Sequence, residues 1–113
     1  MICPSRREIW LAELAPVRGH EQGGRRPVLV ISEDSFNDSL ADLLIVVPIT
    51  TTLRNIPFHI PVVPPEGGLK APSAILCEAV RSLAKERCLE RWGVVCAKTL
   101  YQVEDRLRIL LGL

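Results

Sequence analysis

The feature that most constrains the fold of this chain is that its apolar residues come in short runs separated by proline and glycine. The chain has 9 prolines and 7 glycines among 113 residues. Proline lacks a backbone donor and glycine favours turns, so neither suits the middle of a long helix or a central strand. Short runs of β-branched and aliphatic residues between such breaks are typical of strands. The pattern predicts strands at 6–14, 28–32, 43–50, 58–63, 73–83 and 92–96.

One stretch, 98–111, has a helical period instead. Its apolar residues recur at the spacing that lines one face of a helix: Leu100, Val103, Leu107, Leu110 and Leu111. Gly112 follows where a C-terminal helix cap belongs. Glu104 and Arg108 are spaced for an ion pair on the helix surface. The sequence therefore predicts one helix, at the C-terminus.

Many short strands, turn-rich connections and one terminal helix predict a mainly β (α+β) fold, a small β-barrel with a C-terminal α-helix packed on it. We expect a single domain over 1–113. The turn-rich segment 32–38 is expected to hold one short helical turn, and P-P-E-G-G at 64–68 predicts a turn. Alternation in the first strand places its apolar residues on two sides: Ile9 and Leu11 on one, Trp10, Ala12 and Leu14 on the other.

The charge balance limits the ways in which this chain can bind a nucleic acid. Its formal net charge is +1, so such binding has to come from a local basic patch rather than from a basic molecule. The chain has no run of about 18 apolar residues, the length that would predict a membrane-spanning helix. Its start also lacks the apolar region and cleavage site of a secretory signal. We therefore expect a cytoplasmic protein.

The four cysteines are predicted to be reduced thiols. They form no C-x-x-C pair and the two histidines are distant in sequence, which argues against a zinc site. Cys77 and Cys96 lie in apolar, strand-like runs and are expected to be small core residues. We expect no metal and no other cofactor.

The segment 19–32, G-H-E-Q-G-G-R-R-P-V-L-V-I-S, joins a polar loop to a strand. The loop half carries a histidine, a carboxylate, two glycines and two arginines. Pro27 stands at the junction, where its missing N–H does least harm to a sheet. Arginine suits a phosphate because its planar guanidinium offers paired donors and stays charged. The segment therefore predicts an anion-binding loop at the start of a strand.

This segment is followed by V-V-P-I-T at 46–50, I-P-F-H-I-P at 56–61 and R-I-L-L-G-L at 108–113. In this order and spacing, from Arg6 to the C-terminus, the chain resembles the MazF/PemK-type toxin endoribonucleases. The resemblance implies an SH3-like β-barrel that works as a homodimer and cleaves single-stranded RNA without a metal. It also implies a cognate antitoxin, which we expect to be acidic because the RNA groove should be basic.

The resemblance makes Arg26 and Thr50 the expected catalytic residues. Arg26 occupies the position of the family's catalytic arginine in R-P-V-L, and the alternative is that it neutralises Glu21 at a loop edge. Thr50 ends V-V-P-I-T, at the family's second catalytic position, and the alternative is a turn formed with the threonines that follow. Pro48 in this run predicts an edge or a bulge, and so a bent backbone near Thr50.

Further residues are expected at the RNA. The spelling G-H-E-Q is that of the PemK branch, where this histidine belongs to the active site, and histidine exchanges protons near neutral pH. The general base remains open among His20, Glu78 and Arg26. The groove is expected to be lined by Arg18, Arg25, Arg26 and Arg54. The residues expected to bind RNA are His20, Glu21, Gln22, Thr51 and Glu78.

Glu78 departs from the related pattern. The PemK branch has R-C-D where this chain has L-C-E at 76–78, so the arginine is absent and the carboxylate is one methylene longer. An ion pair with Arg81 or with a loop arginine is an equal alternative for Glu78. The family often has glutamine before the later arginine, where this chain has A-V-R, so no relative's cleavage sequence carries over. His59 is expected to be a half-exposed strand residue without a role.

Two classes of function are compatible with these residues. One is the metal-independent endoribonuclease of a toxin–antitoxin pair, and the other is a non-catalytic SH3-like module that binds RNA or a peptide. The presence of both Arg26 and Thr50 favours the enzyme, because a peptide-binding module has no need of both. A transcriptional repressor is less favoured, since the sequence has no helix-turn-helix pattern.

Overall fold

The computed structural model describes residues 3–14 and 24–113. Within them the strands are β1 (Glu8–Leu14), β2 (Gly24–Val30), β3 (Leu43–Thr50), β4 (His59–Val62), β5 (Ser73–Leu76), β6 (Arg81–Ala84) and β7 (Cys88–Val94). The helices are α1 (Asp34–Asn37), which confirms the helical turn predicted within 32–38, and α2 (Ala97–Leu111). Single 3₁₀ turns lie at Glu66–Gly68, Cys77–Ala79 and Lys85–Arg87. Across the described ranges, no helix has the length and apolar character needed to cross a membrane.

The strands form one antiparallel sheet in the order β4-β5-β3-β2-β1-β7, with β6 also paired to β3. Strand β3 is central, because one edge pairs with β2 while the other edge pairs first with β6 and then with β5. These features confirm a mainly β fold with a C-terminal helix. No pairing joins β4 to β7 among the described strands, so the sheet is open there rather than closed into the predicted barrel.

Pro48 lies inside β3 without breaking it. On one edge of β3, β6 pairs as far as Val46 and β5 begins to pair at Ile49, so no described strand pairs with Pro48 there. The Ile31 N–H donates to the Ile45 carbonyl at 3.0 Å, so the odd-numbered residues of β3 hydrogen-bond towards β2. The proline's missing donor therefore falls on the edge where β3 changes partner.

Alternation gives the sheet two apolar faces. We call the side that packs against α2 the helix face, formed by Ile9, Leu29, Val47, Ile49, Ile60, Val62 and Ile75. The opposite side, the far face, is formed by Trp10, Ala12, Leu14, Val28, Val30, Leu44, Val46 and Leu83. The predicted alternation of the first strand is confirmed, since Ile9 and Trp10 belong to different faces.

Helix α2 confirms the predicted C-terminal helix and begins one residue earlier. Gly112 ends it in the left-handed conformation, with φ of 71°, and its N–H donates to the Arg108 carbonyl. The side chains that α2 buries against the helix face are Leu100, Val103 and Leu107, whereas Leu110 and Leu111 are exposed.

The predicted pair between Glu104 and Arg108 is wrong. The Glu104 carboxylate is paired with Arg6, which precedes β1. The Arg6 guanidinium also donates to the carbonyl of Ile31, just after β2, so one side chain ties α2 to two strands. This partner lies 98 residues away in the sequence, and the spacing along a helix carries no information about it.

The strands predicted at 73–83 and 92–96 differ from those in the structure. The range 73–83 is two strands, β5 and β6, separated by the 3₁₀ turn Cys77–Ala79, because each half pairs with a different part of β3. The closing strand predicted at 92–96 is the longer β7, which pairs with β1 through two register shifts. Apolar alternation alone revealed neither the division of 73–83 into two strands nor the register shifts of β7.

Strand β2 begins earlier than the predicted 28–32. It starts at Gly24, so both arginines and Pro27 belong to the strand rather than to the loop. Pro27 is paired with Leu11 of β1 and comes just before β2 begins to pair with β3. The predicted anion-binding arginines are therefore held on the sheet itself.

All four cysteine thiols are free. Cys77 is buried as predicted, but Cys96 is exposed, so its assignment to the core is wrong. Cys96 follows the last strand and stands at the N-cap of α2, outside the apolar alternation that suggested burial.

The predicted turn at 64–68 is confirmed, and it brings Glu66 to the start of α2. The Glu66 Oε2 accepts hydrogen bonds from the Thr99 hydroxyl at 2.6 Å and from the Cys96 N–H at 3.0 Å. The first N–H groups of a helix lack partners within it and carry positive partial charge, so this carboxylate stabilises α2. Burial opposes ionisation, but the hydrogen bonds prevail and hold the pKa of Glu66 below its ordinary value.

We expect Glu66→Ala to lower the free energy of unfolding by about 1–2 kcal/mol at pH 7, the usual cost of a lost helix cap. Because the folded pKa is depressed, the stabilisation is present above the unfolded pKa of about 4.3 and is lost as pH falls through the folded value. Urea unfolding at pH 7 and at pH 3 measures both effects, with exposed Glu90→Ala as the control. An equal loss at both pH values would contradict this role.

Candidate active site

Arg26 and Thr50 lie at the same end of the β2–β3 pair. The two strands are antiparallel, and Val28 opposite Pro48 is the last matched pair at that end. Arg26 comes two residues before Val28, and Thr50 comes two residues after Pro48. Thr50 also ends its strand, where it is paired with Ala74 of β5.

The two side chains also share a face of the sheet. Side chains alternate along a strand, and directly paired residues lie on the same side. Arg26 is paired with Ala12, which belongs to the far face. Thr50 alternates with Pro48, whose partner Val28 belongs to the same face. The fold therefore brings a guanidinium and a hydroxyl to one end of the far face.

The Thr50 hydroxyl has a role in the turn as well. Its Oγ1 accepts a hydrogen bond from the Thr52 N–H at 3.1 Å. A hydroxyl that accepts one bond still has its own proton to donate, so the turn and a contact with a phosphate oxygen are compatible. Thr51, expected to bind RNA, is exposed beside it.

The two neighbouring arginines of β2 have different environments. Arg25 is paired with Glu13 across the strands, and its Nε lies 3.4 Å from Glu13 Oε2 with both side chains more than half exposed. Such a surface pair adds little stability. Arg26 alternates to the far face and is partly buried. Water screens the charge of a partly buried guanidinium less than that of an exposed one, so its attraction for an anion is stronger.

Part of the predicted site lies outside the described residues. This applies to Arg18, His20, Glu21 and Gln22, which belong to the segment 15–23. The alternative in which Arg26 neutralises Glu21 involves the same segment.

Glu78 has a partner that the sequence did not suggest. Its Oε2 lies 2.6 Å from Nε2 of His59, and the alternative in which Glu78 pairs with Arg81 is wrong. A pair with Arg18 of the loop lies outside the described residues. The Arg81 Nε instead donates to the carbonyl of Ser82 at 3.3 Å. Glu78 stands on the 3₁₀ turn between β5 and β6 rather than in a strand. His59, expected to be half-exposed, has a side chain that is only 6% exposed.

A cavity of about 380 Å³ opens beside Thr50. Its walls come from the loop after Thr50 and from β4 and β5: Leu53, Arg54, Asn55, Ile56, His59, Pro61 and Ala74. Ala74 is paired with Thr50 on one side and with Pro61 on the other, so one residue of the cavity wall is the strand partner of Thr50. Mostly apolar walls with one guanidinium suit a flat ring adjoining a phosphate. The sequence did not reveal this cavity, because its walls come from separate segments.

The thiols of Cys77, which is buried, and of Cys88, which is partly buried, are poor nucleophiles. Burial raises the pKa of Cys77 and of Cys88 to about 11, so both stay protonated at neutral pH. Over residues 3–14 and 24–113, histidine, cysteine and carboxylate side chains form no group of three that could hold a metal ion.

Known proteins resemble this chain over nearly its whole length. Residues 5–111 match the family described as the PemK-like, MazF-like toxin of type II toxin-antitoxin system. Curated proteins named Endoribonuclease MazF from Staphylococcus epidermidis and Staphylococcus saprophyticus are each 36% identical over 110 residues, covering 96% of this chain and 91% of theirs.

Solved structures share the fold over the whole chain. A crystal structure of MazF from Deinococcus radiodurans has a TM-score of 0.88 at 31% identity and covers 100% of both chains. A MazE–MazF crystal structure from the same organism has a TM-score of 0.82 at 31% identity, covering 100% of this chain and 99% of that one. With the family match over 5–111 and the curated relatives, these likenesses show that the chain belongs to the PemK-like, MazF-like toxins of type II toxin–antitoxin systems.

Proposed function

We propose that this toxin cleaves single-stranded RNA without a metal ion, with Arg26 and Thr50 at the scissile phosphate. Endoribonuclease activity follows from membership of the family and from the identity with curated MazF endoribonucleases. The single observation that carries the mechanism is that a guanidinium and a hydroxyl share one end of the far face.

The reaction is attack by the RNA on itself. The ribose 2′-oxygen forms a bond to the neighbouring phosphorus, and the bond from phosphorus to the 5′-oxygen breaks. A base takes the 2′-hydroxyl proton and an acid protonates the departing 5′-oxygen, which leaves a 2′,3′-cyclic phosphate and a 5′-hydroxyl. Arg26 stabilises the extra charge on the phosphorane through paired donors, and Thr50 donates to a non-bridging oxygen.

Three groups are candidates for the general base: His20, Glu78 and Arg26. Arginine stays protonated in proteins, so charge stabilisation and proton donation to the 5′-oxygen suit Arg26 better. Glu78 is a carboxylate near the cavity, and His20 belongs to the G-H-E-Q segment. We therefore assign the base to one of these two residues.

The cavity beside Thr50 supports a path for the RNA. A nucleobase next to the scissile phosphate fits its apolar walls, while Arg54 contacts the backbone. Thr51 and Glu78 line this path. His20, Glu21 and Gln22, which lie outside the described residues, are proposed to bind the same RNA.

We further propose that the chain is a single domain of the SH3-like barrel type, with its described sheet left open between β4 and β7, and that two copies form a homodimer. The end of α2 supports the dimer, because Ile109, Leu111 and Leu113 are strongly exposed there. The Arg106 Nε donates to the Pro57 carbonyl at 2.9 Å and so joins α2 to the loop after Thr50. A symmetric second copy would cover this apolar surface.

A cognate antitoxin is the second partner that we propose. Solved relatives include MazE–MazF complexes, and the net charge of +1 makes the arginines of the groove a local basic patch. A disordered acidic segment suits such a patch, since its carboxylates take the positions of phosphates and it folds on binding. The RNA substrate is in the cytoplasm, so toxin and antitoxin should act there.

Incubation of the chain with mixed-sequence RNA in EDTA should release fragments with a 2′,3′-cyclic phosphate and a free 5′-hydroxyl. The 5′ ends are detected by direct labelling with polynucleotide kinase. DNA of the same sequence should stay intact because it lacks the 2′-hydroxyl. A 5′-phosphate on the downstream fragment would contradict the mechanism, and intact RNA across many sequences would favour the non-catalytic SH3-like module.

Arg26→Ala should lower turnover by about a hundredfold to a thousandfold, as expected when a donor to the transition state is lost. Arg26→Lys should restore little, because an ammonium cannot reproduce paired guanidinium donors. Single-turnover cleavage measures the rates, and circular dichroism melts report folding. The control is Arg91→Ala on β7, which removes a guanidinium paired with Glu8. Near-normal turnover in either Arg26 variant would remove Arg26 from the mechanism.

Light scattering at micromolar concentration should give twice the chain mass of 12.6 kDa. Ile109→Lys, which places a charge on the exposed end of α2, should shift the protein to monomer. Leu40→Lys, at an exposed position between α1 and β3, should not. A monomeric wild-type protein would count against the homodimer.

A further inference from the structure

The His59–Glu78 pair combines a buried ring with an exposed carboxylate. The two side chains meet at 2.6 Å between Nε2 and Oε2. The His59 side chain is 6% exposed, whereas that of Glu78 is 45% exposed. The His59 Nδ1 is buried and has no hydrogen-bond partner in the described part of the chain. The His59 ring is therefore enclosed by the protein, whereas the Glu78 carboxylate faces the solvent.

The two ring nitrogens of His59 have different environments. A carboxylate oxygen can only accept, so the Nε2–H donates a hydrogen bond to Glu78. The buried Nδ1 has no partner among the described residues, and leaving a polar atom in that state costs free energy. An apolar side chain at position 59 would avoid even this cost. The histidine is thus a poor choice for packing alone, which points to a role at the carboxylate.

The direction of His59 connects the pair to the site. In β4, Ile60 and Val62 belong to the helix face, so His59 and Pro61 point to the opposite side. Pro61 is paired with Ala74, which is paired with Thr50. His59 also forms part of the cavity wall. The ring therefore holds the Glu78 carboxylate on the side of the sheet that carries the Thr50 hydroxyl.

We propose that His59 is a positioning residue, which fixes the Glu78 carboxylate so that it accepts a hydrogen bond from the nucleotide beside the scissile phosphate. This inference rests on the proposed function. The donor is either the ribose 2′-hydroxyl or a base N–H. A half-exposed glutamate has several rotamers, and its hydrogen bond to a buried ring removes that freedom before RNA binds.

Four variants test the pair through kcat/KM for RNA cleavage: His59→Leu, Glu78→Ala, the double variant and His59→Gln. His59→Leu and Glu78→Ala should each lower kcat/KM by about tenfold to a hundredfold, the usual effect of a misplaced group. The double variant should be no slower than Glu78→Ala, because His59 acts only through Glu78. His59→Gln should stay within several-fold of wild type, since its amide can donate to the carboxylate.

Control measurements separate positioning from stability. Val63→Ala, at the exposed residue after β4, should leave kcat/KM unchanged. Thermal melts of every variant identify losses that come from unfolding. Independent, multiplying losses in the double variant would overturn the proposal, as would wild-type activity in His59→Leu. If the wild-type chain cleaved no RNA, the proposed function itself would fail, whatever the variants did.

RNA binding in an Arg26→Ala background identifies the donor without cleavage. Glu78→Ala should weaken binding of an all-ribose RNA. If the loss disappears when the cleaved nucleotide is 2′-deoxy, the carboxylate contacts the 2′-hydroxyl. If the loss persists, the contact is with a base N–H. No loss with either RNA would overturn the contact.

A spectroscopic test does not depend on activity. The chain has two histidines, so the ring nitrogen spectrum is simple and His59→Leu assigns it. The His59 Nε2 should carry a hydrogen that is bonded to the Glu78 carboxylate, and Glu78→Ala should shift the Nε2 signal. A ring protonated at Nδ1 alone would contradict the pairing.

Discussion

The change of partner along one edge of β3 is the constraint on which the site depends. Residues 73–84 do not pair with β3 as one continuous strand. Instead, β5 pairs with Ile49 and Thr50, whereas β6 pairs with residues 43–46. The chain between them leaves the sheet as a 3₁₀ turn, and that turn carries Glu78. Pro48 is tolerated at this level because its missing donor faces the unpaired gap. The strand then ends at Thr50. The positions of the Thr50 hydroxyl and of the Glu78 carboxylate therefore both follow from the change of partner along β3.

The two faces of the sheet have different roles. The helix face contributes stability, and the far face carries Arg26 and Thr50 of the proposed site. The helix face buries aliphatic side chains against α2, and the Arg6–Glu104 pair and the Glu66 carboxylate secure that helix. The far face is apolar along most of its length, and Arg26 and Thr50 share one of its ends. A guanidinium on such a surface acts on a phosphate in a medium of lower polarity than water, where each charge has a stronger effect. In the proposed mechanism, a nearly neutral chain therefore binds a polyanion through a local basic patch.

The Glu78 segment illustrates how one carboxylate can be held in different ways. In the PemK branch that this chain resembles, an arginine stands two positions before the carboxylate. Here that position is Leu76, which is buried, and the residue paired with it across the strands is His59. The partner of the carboxylate thus comes from the adjacent strand rather than from its own segment. This segment therefore lacks the guanidinium, and an imidazole from β4 contacts the carboxylate instead.

The sequence by itself determined the features that depend on local periodicity. These include the bounds of β3, the two sides of β1, the amphipathic α2 with its glycine cap, and the family motifs that carry Arg26 and Thr50. Only the tertiary structure decided which groups meet: Glu104 with Arg6 across 98 residues, Glu78 with His59 across 19, and the walls of the cavity. It also broke 73–83 into two strands and exposed Cys96. The physical reason is that alternation fixes the face of a side chain, whereas its partner depends on which strands lie side by side.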